Sequence, residues 1–124
     1  MCIRDSYLGV KAIEAKDGTA NMTISVSENI LNPSGTFHGG VLYTLCDVTA
    51  FCGLLSVLKE GEIGVTNHIS IQVLRAAKLG DKITFQSNVI KRGKRLAFLE
   101  CKVTIGDIII ATASVTKTLL VLNA

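Results

Sequence analysis

Asp47 is the only charged side chain between His38 and Lys59, and it stands in an otherwise apolar run. Burying an unpaired charge is expensive, so such an acid needs a reason. One reading makes it structural, bonded to a loop or set at a subunit interface. The other makes it a partly desolvated carboxylate that activates water or attacks a carbonyl. Gly39 and Gly40 stand at the start of the same run. Glycines are poor helix formers, but two of them at a helix start offer bare N–H groups at its positive end. Such an end binds an anion, or a carbonyl oxygen that becomes one during reaction. The alternative is steric: small residues where another backbone passes closely. His38 serves either as acid or base or as a loop-orienting side chain. Asn32, before Pro33, is a turn residue or an amide that orients a water or the attacking carboxylate. Cys46 beside Asp47 suggests a Cys–His–Asp arrangement with His38, but adjacent helical residues point roughly 100° apart and share no face. A metal site from His38, His68 and Asp47 has no recognised ligand spacing, so no metal is expected.

These residues need elements to place them. Leu8 to Ala15 reads as a first strand, and Asp17-Gly18 as a turn. From Thr19 to Ser27 the chain alternates, with Ala20, Met22, Ile24 and Val26 on one face: a half-buried strand. Asn32-Pro33-Ser34-Gly35 breaks into a loop. From His38 to Leu58 apolar residues cover most of a helical circumference, the pattern of a buried helix or a membrane span. Period two returns with Val65, Ile69, Ile71 and Val73. Further strands are expected over Ile83 to Ile90, Ala97 to Ile105 and Ile108 to Leu119, divided by the basic turn Lys91 to Arg95 and by Gly106-Asp107. Two strands, a helix and four strands with short links predict an α+β domain. The last four strands are expected to form an antiparallel meander, and the sheet to curl around the helix.

The chain has 124 residues, which suits one domain spanning 1–124. Met1 to Ser6 do not flow into the pattern that follows. They are read as a non-native or truncated start without functional weight. Residues 39 to 58 are long enough to cross hydrocarbon, but an Asp near the middle costs about 2.5–3.5 kcal/mol on insertion scales, so no membrane span is expected. Apolar residues make up 48% and charged residues 19% of the chain, with a mean hydropathy of +0.45. A small chain this apolar buries surface against copies of itself. The net charge of +3 and the absence of basic–aromatic interleaving exclude nucleic acid as the expected partner. Cys2, Cys46, Cys52 and Cys101 form no CxxC pair and no secretory signal precedes them, which favours reduced thiols and a cytoplasmic location. Arg75, Lys78, Lys82, Lys91, Arg92, Lys94 and Arg95 are solvated turn residues or, in some subset, a grip on the phosphates of a nucleotide carrier.

The run from Asn32 through His38-Gly39-Gly40 to Leu45-Cys46-Asp47 resembles the signature of the phenylacetate-pathway (PaaI-type) hotdog thioesterases in order and spacing. Gly64-Val65-Thr66 through Arg75 to Asp81 is similar to that family's third strand and following turn. The resemblance extends over nearly the whole chain from Leu8. It implies a hotdog fold, a long central helix wrapped by a curved antiparallel sheet, and hydrolysis of an acyl-CoA or arylacetyl-CoA thioester. By the same resemblance Asp47 is base or nucleophile, and the Gly39 N–H polarises the thioester carbonyl. Asn32 and His38 support the loop and the reacting groups, Thr66 helps position the water, and Phe37 and Gly40 line the substrate side. Asn32, His38 and Gly39 come from one subunit, Asp47 and Thr66 from the other. A homo-oligomer follows, a dimer or a dimer of dimers (a homotetramer). No cofactor is implied beyond coenzyme A within the substrate. Arg75, Lys91, Arg92, Lys94 and Arg95 are the candidates for its phosphates.

Two other activities compete. A binding module would hold acyl-CoA or an aromatic acyl ligand without turnover, and hotdog folds host both functions. Such a module has no use for a carboxylate beside an oxyanion site. A hotdog dehydratase needs a His base aligned with an acid on the helix, a pattern this chain lacks.

Overall fold

The computed structural model describes residues 10–26 and 39–121. Asn32, Phe37, His38, Leu8, Ser27 and the first six residues lie outside that range. β1 (Val10–Lys16) and β2 (Thr19–Ser25) form a hairpin, α1 (Gly39–Leu55) follows, and β3 (Glu62–Val73), β4 (Lys82–Arg92), β5 (Leu96–Ile105) and β6 (Ile108–Val121) complete the chain. The hairpin turn has Asp17 and Gly18 both at positive φ (53° and 85°), the two-residue geometry whose twist matches paired strands. The six strands make one antiparallel sheet in the order β1-β2-β4-β5-β6-β3.

β4, β5 and β6 form the expected meander, but β3 does not join it. β3 pairs with β6 at the far edge, and β4 pairs with β2. Residues 74–81 make this possible because they cross the end of the sheet rather than turning back on β3. Leu74 and Arg75 donate their N–H groups to Ile110 O, Gly80 N–H donates to Val26 O, and Val26 N–H donates to Asp81 O. Ala77, fully buried, plugs the core end under this crossover.

α1 lies against one face of the sheet and touches all six strands, most heavily β2 and β4. The strands present alternate residues to it: Ala20, Met22 and Ile24 from β2, Ile83 and Phe85 from β4, Ala97, Leu99, Cys101 and Val103 from β5, and Ala111, Ala113, Val115 and Leu119 from β6. Leu42, Leu45, Cys46, Ala50 and Leu54 are the helix side of this core. The helix is shorter than the apolar run. After Leu55, Ser56 Oγ donates to Gly53 O and accepts from Gly18 N–H, tying the helix end to the β1–β2 turn. Nor is it buried all round. Tyr43, Phe51 and Leu55 remain 48%, 39% and 51% exposed. With Asp47 between them at four-residue steps, they form one open stripe along the helix. No helix among the described residues is long and apolar enough to cross a membrane.

Candidate active site

Asp47 sits on that open stripe, its side chain 35% exposed. It is not unpaired. Thr66 Oγ1 on β3 donates to Asp47 Oδ1 at 2.7 Å, and Lys117 Nζ on β6 donates to the same oxygen at 2.8 Å. Lys117 Nζ also donates to Thr66 Oγ1 at 2.6 Å, closing a triangle. Thr66 and Lys117 are register partners across β3 and β6, so backbone pairing sets the spacing of the two groups that hold the acid. A β-bulge follows Thr66 directly, a common device for aiming a side chain. Gly64 lets β3 approach the helix: a Cβ there would lie 2.4 Å from Leu54 Cδ2.

Lys117 was not singled out in the sequence. The signal was present, because it falls on the inward phase of β6 between Val115 and Leu119, where every other residue is apolar. Its side chain is 2% exposed, and its ammonium lies 5.7 Å from the centroid of Phe51, within cation–π range. Asp47 and Lys117 balance each other's charge.

Gly39 and Gly40 are the first two residues of α1, so their N–H groups point out of the positive helix end. Thr44 Oγ1 donates back to Gly40 O in the first turn. Gly39 stands eight residues before Asp47, about 12 Å away at 1.5 Å rise per residue. Within one chain no single carbonyl carbon reaches both. His68 is exposed on β3, on the far side of the bulge from Thr66.

Cys46, Cys52 and Cys101 are reduced thiols. The Cys46 thiol is pushed far above the ordinary range by its hydrogen bond with Cys101 and by burial, which keeps it protonated and out of nucleophilic chemistry. Among the described residues no group of three or more His, Cys, Asp and Glu side chains could hold a metal ion. Of the basic candidates, Arg75, Lys91, Lys94 and Arg95 are exposed. Arg92 instead pairs with Glu62, whose other oxygen accepts the Lys59 N–H. These bonds, the Lys59 amide first and then Arg92, hold the Glu62 carboxyl below its usual range against the opposing effect of burial.

The "Thioesterase superfamily" profile matches residues 34–112. Acyl-coenzyme A thioesterase 13 of Homo sapiens is 34% identical over 95 residues, 77% of this chain and 67% of that protein. Acyl-coenzyme A thioesterase PaaI of Escherichia coli is 30% identical over 96 residues, 77% of this chain and 66% of that protein. Among solved structures, a thioesterase protein of Streptococcus pneumoniae with coenzyme A superposes with a TM-score of 0.83 at 29% identity, covering 91% of this chain and 88% of the other.

Proposed function

The chain belongs to the thioesterase superfamily, with PaaI-type hotdog enzymes among its relatives, and from that premise we propose that it hydrolyses acyl-CoA or arylacetyl-CoA to free acid and coenzyme A at a site shared by two copies of itself. One observation carries the reading: a carboxylate fixed by Thr66 and Lys117 on the open face of the helix, on the same helix as two N-terminal glycines.

Water adds to the thioester carbon, a tetrahedral oxyanion forms, the carbon–sulfur bond breaks, and the proton removed from water ends on the coenzyme A thiolate. Asp47 takes the water proton as general base, or attacks the carbonyl itself before water releases the acyl group. The Gly39 N–H stabilises the oxyanion, and one such donor is typically worth about 2.7–4 kcal/mol of barrier. Thr66 has committed its only proton to Asp47, so toward a water it acts as acceptor. Asn32 and His38, on the approach to Gly39, support the carbonyl-binding side, with Phe37 and Gly40 lining it. Protein groups carry all of this chemistry, and coenzyme A enters only with the substrate.

The roughly 12 Å between Gly39 and Asp47 supports a site completed across two chains. The apolar stripe of Tyr43, Phe51 and Leu55 and the edge strand β3 offer the surface for a dimer, and a dimer of dimers extends it. Arg75, Lys91, Lys94 and Arg95 are available for coenzyme A phosphates, while Arg92 is engaged by Glu62. Reduced thiols at Cys46, Cys52 and Cys101 suit the cytoplasm.

A screen of acyl-CoAs with free-thiol detection tests the proposal. Asp47→Asn is expected to lower kcat by about 10²–10⁴-fold, the usual contribution of a positioned base. A folded Asp47→Asn protein with the parental rate overturns the role given to Asp47. Binding of acyl-CoA without thiol release by the parent chain points instead to a carrier.

A further inference from the structure

Among the described residues Lys117 is the only charged side chain that is buried, at 2% exposure. Its strand neighbours on the inward phase are Ala113, Val115 and Leu119, an environment that asks for an aliphatic residue. A buried ion pair is a weak device for stability, since apolar residues of similar volume often replace it at no loss. What Lys117 does have is a specific aim. Its Nζ lies 2.8 Å from Asp47 Oδ1 and 2.6 Å from Thr66 Oγ1, and Thr66 donates to that same Oδ1. Two donors from two paired strands therefore converge on one carboxylate oxygen. No described residue bonds Oδ2.

We infer that Lys117 is a positioning residue for thioester hydrolysis: with Thr66 it pins Asp47 by Oδ1, so that Oδ2 is the oxygen that takes the proton from water or attacks the carbonyl. This rests on the function proposed above. The pin matters because a carboxylate free about its side-chain torsions spends most of its time misaimed, and a displacement of about 1 Å costs on the order of 10²-fold in rate. The Phe51 ring, with its centroid 5.7 Å from the ammonium, adds a cation–π contact to the same amine. Substrate contacts are left to other residues, so the effect of Lys117 belongs in kcat rather than KM.

The experiment is a kinetic double-mutant cycle with Lys117→Met, which keeps an unbranched side chain one atom shorter and removes the charge. Gel filtration and thermal melting of each variant accompany the rates. Lys117→Met is expected to melt close to the parent, to lose roughly 10- to 100-fold in kcat by the misaiming above, and to keep KM within about twofold. In the Asp47→Asn background the same change is expected to cost nothing further, because a group acting only through Asp47 has nothing left to act on. Lys117→Gln, which keeps an N–H donor, is expected to fall between parent and Lys117→Met. Three results overturn the inference: an unchanged kcat in folded Lys117→Met, an equal further loss in the Asp47→Asn background, or unfolding of both Lys117 variants, which makes the lysine a structural ion pair. A parent chain that hydrolyses no thioester overturns the proposed function and this inference with it. A parent that does so while Lys117→Met matches it overturns this inference alone.

Discussion

A lysine amine almost closed off from water determines which substitutions of Asp47 the protein tolerates. Asp47→Ala leaves Lys117 with Thr66 as its one remaining acceptor among the described residues. Stranding one member of a buried pair typically costs about 3–5 kcal/mol, and the 35% exposure of Asp47 puts this pair toward the lower end. Asp47→Asn keeps an oxygen at the Oδ1 position and so keeps both donors satisfied. The expected outcome is that Asp47→Ala loses about 3 kcal/mol in urea unfolding, that Asp47→Asn loses much less, and that adding Lys117→Met to Asp47→Ala restores most of the loss. A simple sum of the two single effects would show that the amine is not stranded. Asp47, Gly39 and Gly40 were legible in the sequence because their types clash with the apolar helix around them. Lys117 was not, because a lysine in a strand looks solvated until the phase of the strand is fixed. Asn32, His38 and Phe37, assigned to the site through the family resemblance, lie outside the described residues.

At the scale of elements, β3 places Thr66 and is itself held at both ends. Its start is fastened by Glu62, which accepts from Lys59 N–H and pairs with Arg92 of β4. The Glu62 carboxyl is held below the ordinary value of 4.5, first by the Lys59 amide and then by Arg92. A lowered carboxylate stabilises the fold fully above its unfolded value, and that contribution is lost as pH falls through the still lower folded value. Melting temperature is therefore expected to fall more steeply below pH 4.5 in the parent than in Glu62→Gln, with the two curves parallel above it. Further along, Gly64 lets β3 lie against Leu54, and its missing Cβ leaves no room for another residue, since one would meet Leu54 Cδ2 at 2.4 Å. Gly64→Ala is expected to lose about 1–3 kcal/mol through overpacking, and to lower kcat as well, because the strand that moves away carries Thr66. Strand positions followed from alternation, most plainly in Ala20 to Val26 and Ala97 to Val103. The order of strands did not, because local pattern says nothing about which edge a strand seeks. β3 leaves the meander through long-range bonds from Leu74 and Arg75 to Ile110, and no local motif announces them.

At the scale of the whole molecule, the surplus of apolar residues and the geometry of the site both bear on the proposed pairing of two chains. The sheet covers only one side of α1, and the uncovered side carries Tyr43, Phe51 and Leu55 around Asp47. The helix start that would hold a thioester oxygen is about 12 Å from the acid in the same chain. A second chain running antiparallel along this stripe would bring its own Gly39 toward the first chain's Asp47, and symmetry would build the site twice. Subunit mixing separates this arrangement from a site within one chain. Gly39→Pro removes the N–H donor at a first helical position, where proline is tolerated. Asp47→Asn disables the other half. Each variant alone is expected to be inactive. In a two-fold dimer their hybrid carries one site with both defects and one site with none. Unfolding and refolding an equal mixture is therefore expected to recover about a quarter of the parental rate, since half the dimers are hybrids with one intact site of two. If Gly39 and Asp47 of one chain served the same thioester, every site in the mixture would retain a defect and the rate would stay at the level of the separate variants.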